Sequence, residues 1–169
     1  MPLFVKKPYT IGELMSIDSG RQERAQYCTV EHLKTYHQLQ PETLGDKIRQ
    51  FFLGETHVNA YFLILHLRVT SPGKEPKNVY IKLNPDFNLT KWYDNMVKIY
   101  CDCPDFKYRS AYILNERKSL FLNDKVRNEL GSALTETPKR GAKTSLLCKH
   151  AFAALQWVVE NYTSIMRVI

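Results

Sequence analysis

Apolar side chains alternate along three consecutive segments in the middle of the chain. In "VNAYFLILHLRVT", Tyr61, Leu63, Leu65, Leu67 and Val69 fall on one face at strand period. "SPGKEPKN" follows with turn chemistry, and "VYIKL" resumes the alternation with Val79, Ile81 and Leu83 inward and Tyr80 and Lys82 outward. "MVKIYC" repeats it once more through Val97, Ile99 and Cys101. Three such runs in succession predict a small antiparallel meander.

Helical spacing surrounds them. "YTIGELMSI" opens with Thr10 and Glu13 at capping-box spacing ahead of Leu14 and Met15. "DSGRQERAQ" reads as a polar loop or arm. "TVEHLKTYHQL" is expected to be a short helix, capped by Thr29, with Leu33 and Tyr36 on one face. "PETLGDKIRQFFLG" is expected to be another, with Leu44, Ile48 and Phe51 in register and Gly54 as its stop. Past the meander, "RSAYILNE" and "NDKVRNELG" predict two short helices, the second capped by Asn123 and stopped by Gly131. "TETPKRGAKTS" reads as a flexible loop. "CKHAFAALQWVVENYTSIM" predicts a long closing helix whose stripe of Phe152, Leu155, Val159 and Tyr162 suits one face of the sheet. The expected fold class is α+β, a β-meander packed against the C-terminal helix, with an N-terminal helical region. The expected division is a helical docking arm at residues 1–57 and an α+β domain at 58–169 that carries an insertion at 104–147.

Composition narrows the setting. The chain of 169 residues is 44% hydrophobic and 24% charged, which suits an ordinary soluble globular protein. Its apolar runs are too short to span a bilayer, and "MPLFVKKPYT" lacks the apolar core of a signal peptide. The expectation is a protein of the cytoplasm, or one assembled there, with no membrane partner. A net charge of +7 favours acidic partners, nucleic acid first, although a modest excess also serves solubility alone.

Cysteine placement adds chemistry. Cys101 and Cys103 lie one residue apart, and Cys148 lies one residue from His150. A Cys101–Cys103 disulfide would close an awkwardly small loop, and cytosolic thiols stay reduced. In a straight strand the two sulfurs would sit about 7 Å apart, whereas two thiolates on one tetrahedral zinc need about 4 Å. The backbone must therefore bend at the strand end, where Pro104 breaks the ladder. On a helix, residues 148 and 150 diverge by about 200°, so both reach one ion only if Cys148 precedes the helix and His150 lies in its first turn. Ser145 is a candidate cap there. A Cys3His set of Cys101, Cys103, Cys148 and His150 fills a Zn2+ ion and leaves no open position. It would leave about one negative charge, which Lys149 or Lys107 can offset. The competing reading is four unrelated buried thiols and a core histidine. Cys28 stands alone, with burial as its first reading and replacement of His150 as its second. His66 suits a satisfied sheet residue, and His32, His37 and His57 receive no role.

The pattern "CDC" then "CKH", with strands before and a helix after, resembles the SWIM-type zinc finger over about residues 78–162. That resemblance implies a ββα zinc module contacting nucleic acid or protein. The 44 residues between Cys103 and Cys148 exceed the family's usual spacer, so the insertion is expected to form a subdomain. The wording "CDCPDFKYR…CKH" also resembles small virion proteins of tailed bacteriophages, which would imply a structural role in the head or neck. The insertion is basic, with nine Lys or Arg against five Asp or Glu. Lys107, Arg109, Arg117, Lys118, Lys139, Arg140 and Lys143, beside Phe106, Tyr108 and Tyr112, are the candidate contacts to nucleic acid or to a partner protein; a solvated face is the plainer alternative. No glycine-rich phosphate loop or nucleophile elbow occurs, and Asp94, Asp102 and Asp105 are better explained by capping and loop hydrogen bonds than as an acid cluster. The expectation is therefore no enzyme. The first functional reading is a zinc-stabilised assembly protein of a virion, contacting other virion proteins and packaged DNA. The alternative is a nucleic-acid-binding SWIM regulatory or accessory factor.

Overall fold

In the computed structural model, which describes residues 7–39, 48, 51–52, 61–83, 91–136 and 146–166, the alternating segments pair as expected. The sheet comprises β1 (Thr29–Leu39), β2 (Tyr61–Thr70), β3 (Lys77–Leu83) and β4 (Val97–Cys101), antiparallel and in that order. Leu65, Ile81 and Ile99 are successive cross-strand partners. The inward row from Leu63 through Ile99 is at most 2% exposed at every apolar position of β2, β3 and β4 on that face. Such complete burial fixes the register, since a slip of one residue would turn the row to solvent. Gly73, at a φ of 71°, supplies the left-handed turn residue between β2 and β3.

The sheet has one more strand than expected. Residues 29–39 form β1 and not a helix. The register shifts between His32 and Lys34, so Leu33 is the bulge and the parity of inward positions changes there. His32 and Thr35 pair with the inward Leu67 and Leu65, and His37 pairs with Leu63. Those inward slots are polar, so hydrophobicity does not alternate along β1. They line a groove of about 270 Å³ together with Trp157.

Helices cover the inward face. α1 (Ile11–Ile17) starts with the expected capping box: Glu13 N–H donates to Thr10 Oγ1 at 3.1 Å, and Thr10 N–H donates to Glu13 Oε1 at 3.4 Å. Ile11 and Leu14 are fully buried. Gly12 lies so close to Tyr93 that a Cβ there would meet the Tyr93 Cβ at 2.9 Å. The stretch expected to be loop is instead a 3₁₀ turn (Ser19–Arg21) followed by α2 (Gln22–Ala25). Ala25 is its one apolar residue, so no periodicity announces it. The helix expected at 41–54 falls largely outside the described residues; Ile48, Phe51 and Phe52 are described, helical and exposed.

After β4 come a π-helical turn (Phe106–Ser110), α3 (Ala111–Glu116) and α4 (Asp124–Leu130). Asn123 caps α4 by accepting from Val126 N–H at 2.8 Å, and Gly131 ends it with a φ of 51°. The outer edge of β4 is covered, since Val97 N–H reaches Tyr9 O and Ile99 N–H reaches Ser119 O. The loop expected at 135–145 lies outside the described residues from 137 onward, Ser145 included. The closing helix breaks at Asn161 into α5 (Lys149–Glu160) and α6 (Tyr162–Met166). α5 packs on all four strands, on α1 and on α2, with Phe152, Leu155 and Val158 buried. No helix among the described residues is long and apolar enough to cross a membrane.

Candidate metal centre

β4 ends at Cys101, and the chain turns away at once. Asp102 holds that turn by accepting from the Asn78 backbone N–H at 2.9 Å and from Asn78 Nδ2 at 3.0 Å. Cys103 then sits at the start of the π-helical turn. Its sulfur accepts from Phe106 N–H at 3.4 Å, and its carbonyl accepts from Lys107 N–H at 3.2 Å. On the far side of the insertion, Cys148 is the N-cap of α5, and its sulfur accepts from Ala151 N–H at 3.3 Å. His150 follows in the first turn. Both halves thus take the backbone course that a shared ion demands: a bend after the strand, and a cysteine ahead of the helix.

The four ligand atoms lie within 4.8 Å of one another. Cys101, Cys103, Cys148 and His150 are 0%, 3%, 1% and 7% exposed, and no disulfide joins the sulfurs. Both ring nitrogens of His150 are buried, and neither has a hydrogen-bond partner beyond the thiol of Cys103 beside it. Such an orphaned imidazole among thiols is costly unless a cation takes its lone pair. Electrostatics agree. Burial pushes the Cys101 and Cys148 thiols up, while hydrogen bonds from Cys101 and then Cys148 pull Cys103 far down. Buried thiolates are costly here until a cation takes the place of their protons. Three sulfurs and one nitrogen in tetrahedral reach fit Zn2+, for which such a set is closed and structural.

The site has a frame that sequence spacing did not reveal. Leu146 N–H donates to Asp18 Oδ1 at 2.7 Å, and Leu147 O accepts from Arg109 at 3.0 Å. The two residues ahead of Cys148 are therefore gripped from α1 and from the π-helical turn. Arg109 is itself held by both oxygens of Asp105, at 2.9 and 2.6 Å. Arg109→Gln is expected to cost about 1–3 kcal/mol and to weaken zinc at least about 10-fold in chelator competition. Wild-type affinity in that variant would show that the clamp does not position Cys148.

Residues 78–112 match the SWIM zinc finger family model. The SWIM match covers nearly all of β3, all of β4 and the first ligand pair, and stops within α3. Cys148 and His150 lie beyond it and join the first pair through the fold. The curated proteins and the solved structures contain no match, and none of the comparisons carries the resemblance to phage virion proteins.

The other expected site residues scatter. Cys28 is outside the cluster and half-buried, its thiol at 3.9 Å from Arg24 O. His66 bonds Asn78 Oδ1 at 2.9 Å and stacks on Tyr80, as a satisfied sheet residue does. Phe106 is fully buried, and Arg109 belongs to the clamp. Arg117 lies over the Tyr9 ring and donates to Lys7 O at 3.1 Å. Lys107 lies over the exposed ring of Tyr108, Tyr112 bonds Glu116, and Lys118 is exposed at the end of α3. Lys139, Arg140 and Lys143 are outside the described residues.

Proposed function

We propose that this chain is a non-enzymatic binding and assembly module whose SWIM-type zinc joins the end of the sheet to α5. The observation that carries this is the donor count: four buried protein ligands leave a tetrahedral ion no position for water or substrate. The ion would supply cross-linking across the insertion, and the clamp residues Asp18 and Arg109 would orient the second ligand pair. The partner in the first reading is another protein of a virion, with packaged DNA nearby; that finer reading is supported only by the wording of residues 101–109 and 148–150. Recovery of the chain at constant copy number with purified particles is the expected result, and its confinement to the particle-free fraction would contradict the assembly role.

A second reading, an accessory factor that contacts nucleic acid, draws on the resemblance to SWIM zinc fingers and on the net charge of +7. It predicts that the zinc-loaded protein binds duplex DNA with an affinity falling steeply as salt rises. Absence of binding at low salt would remove it.

A further inference from the structure

A cleft of about 450 Å³ opens beside the metal cluster, with Cys103, Cys148 and His150 in its floor. Its rim is cationic. Arg21 and Arg24 come from the turn and helix after α1, Lys74 and Lys77 from the β2–β3 hairpin, and Lys149 from the first residue of α5. None of these five belongs to the basic set that the insertion suggested. Arg24, Lys74, Lys77 and Lys149 form no ion pair among the described residues. One carboxylate, Asp105, also lines the cleft, and Arg109 already neutralises it at 2.6 Å. A zinc-loaded Cys3His cluster carries about one negative charge. The four cations Arg24, Lys74, Lys77 and Lys149, from α2, the hairpin and α5, exceed what that charge requires.

A second observation points the same way. Ser71 lines this cleft, is 3% exposed, and its hydroxyl has no hydrogen-bond partner. Leaving a buried hydroxyl without a partner is costly, and an acceptor oxygen brought to this wall of the cleft would relieve it. The N-terminal end of α5 also faces the space, where the helix dipole favours negative charge.

We infer that the cleft formed by Arg21, Arg24, Ser71, Lys74, Lys77 and Lys149 is a binding site for a phosphoryl group, set against the metal cluster without ligating it. The group is a compact oxyanion with several acceptor oxygens, either free as in pyrophosphate or carried on a nucleic-acid strand. This inference stands apart from both readings of partner, because it rests on the cleft and not on the insertion or on the virion wording.

The test uses the full zinc-loaded chain and three probes in calorimetric titration: pyrophosphate, a 5′-phosphorylated single-stranded 10-mer, and the same 10-mer without the phosphate. The comparison protein is Lys74→Ala/Lys77→Ala, whose substitutions lie at the turn and at the first residue of β3, outside the four ligands and the buried core. At least one probe is expected to bind, and the double variant to bind it at least about 10-fold more weakly with zinc content unchanged. Binding of pyrophosphate assigns a free phosphoryl ligand, preference for the 5′-phosphorylated strand a terminal one, and equal binding of both strands a backbone phosphate. Failure of all three probes to bind, or binding that the double variant leaves unaltered, overturns the inference. Zinc content, read in the same samples, keeps that failure separate from failure of the metal centre.

Discussion

Cys101→Ser is expected to abolish stoichiometric zinc binding and to lower the melting temperature by roughly 10–20 °C. The fall corresponds to about 5 kcal/mol in a chain of this size. Serine keeps the shape but offers a hydroxyl that does not ionise in the working range. The imidazole of His150 and the two remaining sulfurs then stay buried without an ion to satisfy them. The cross-link between β4 and α5 disappears with the metal, and the 44-residue insertion is then held to them by its own packing and hydrogen bonds. Adding a chelator to this variant should change nothing further, whereas the same chelator should bring the parent protein down to the variant's melting temperature. A Cys101→Ser protein that melts like the parent would show that the fold stands without the ion.

Phe106→Ala is expected to be nearly as damaging by a different route. The ring is fully buried and meets Tyr100 edge to face at 5.7 Å, at the turn whose N–H donates to Cys103 Sγ. Removing it leaves a cavity beside the sheet and should cost about 3–5 kcal/mol. All four ligands remain, so the folded fraction should still hold one zinc per chain, and a chelator should destabilise it further. Unfolding by urea with parallel metal analysis separates the two variants. Loss of zinc from folded Phe106→Ala protein would place Phe106 among the residues that build the site and not only among those that fill the core.

The metal ligands were legible because their chemistry is confined to few residue types and their order matches a strand end and a helix start. The capping box at Thr10 and Glu13, the Asn123 cap and the Gly131 stop were legible for the same reason, each being a contact within one turn. β1 was not. Its bulge at Leu33 shifts the parity of the strand, and its inward slots hold His32, Thr35 and His37, so neither period of two nor an apolar row survives in the sequence. The clamp on Leu146 and Leu147 was equally hidden. Asp18 acts across 128 residues and Arg109 across 38, and at such separations an aspartate and an arginine look like any solvated pair. Arg109 shows the converse error of reading from composition: it sits in a basic stretch that suggested an outward contact, yet it is 8% exposed and bound to Asp105 and Leu147. The anionic preference of the cleft beside the metal was invisible for a further reason. Its five cations belong to three elements, one of which, the segment at 18–26, showed no periodicity at all.

The most direct measurement is the native mass of the purified chain before and after treatment with a strong chelator, taken together with its thermal melt. A mass excess equal to one zinc ion, lost on chelation along with a large drop in melting temperature, is the predicted result. An identical mass and an identical melt in both states would mean that Cys101, Cys103, Cys148 and His150 meet as ordinary core residues, and that no ion ties the hairpin to the closing helix.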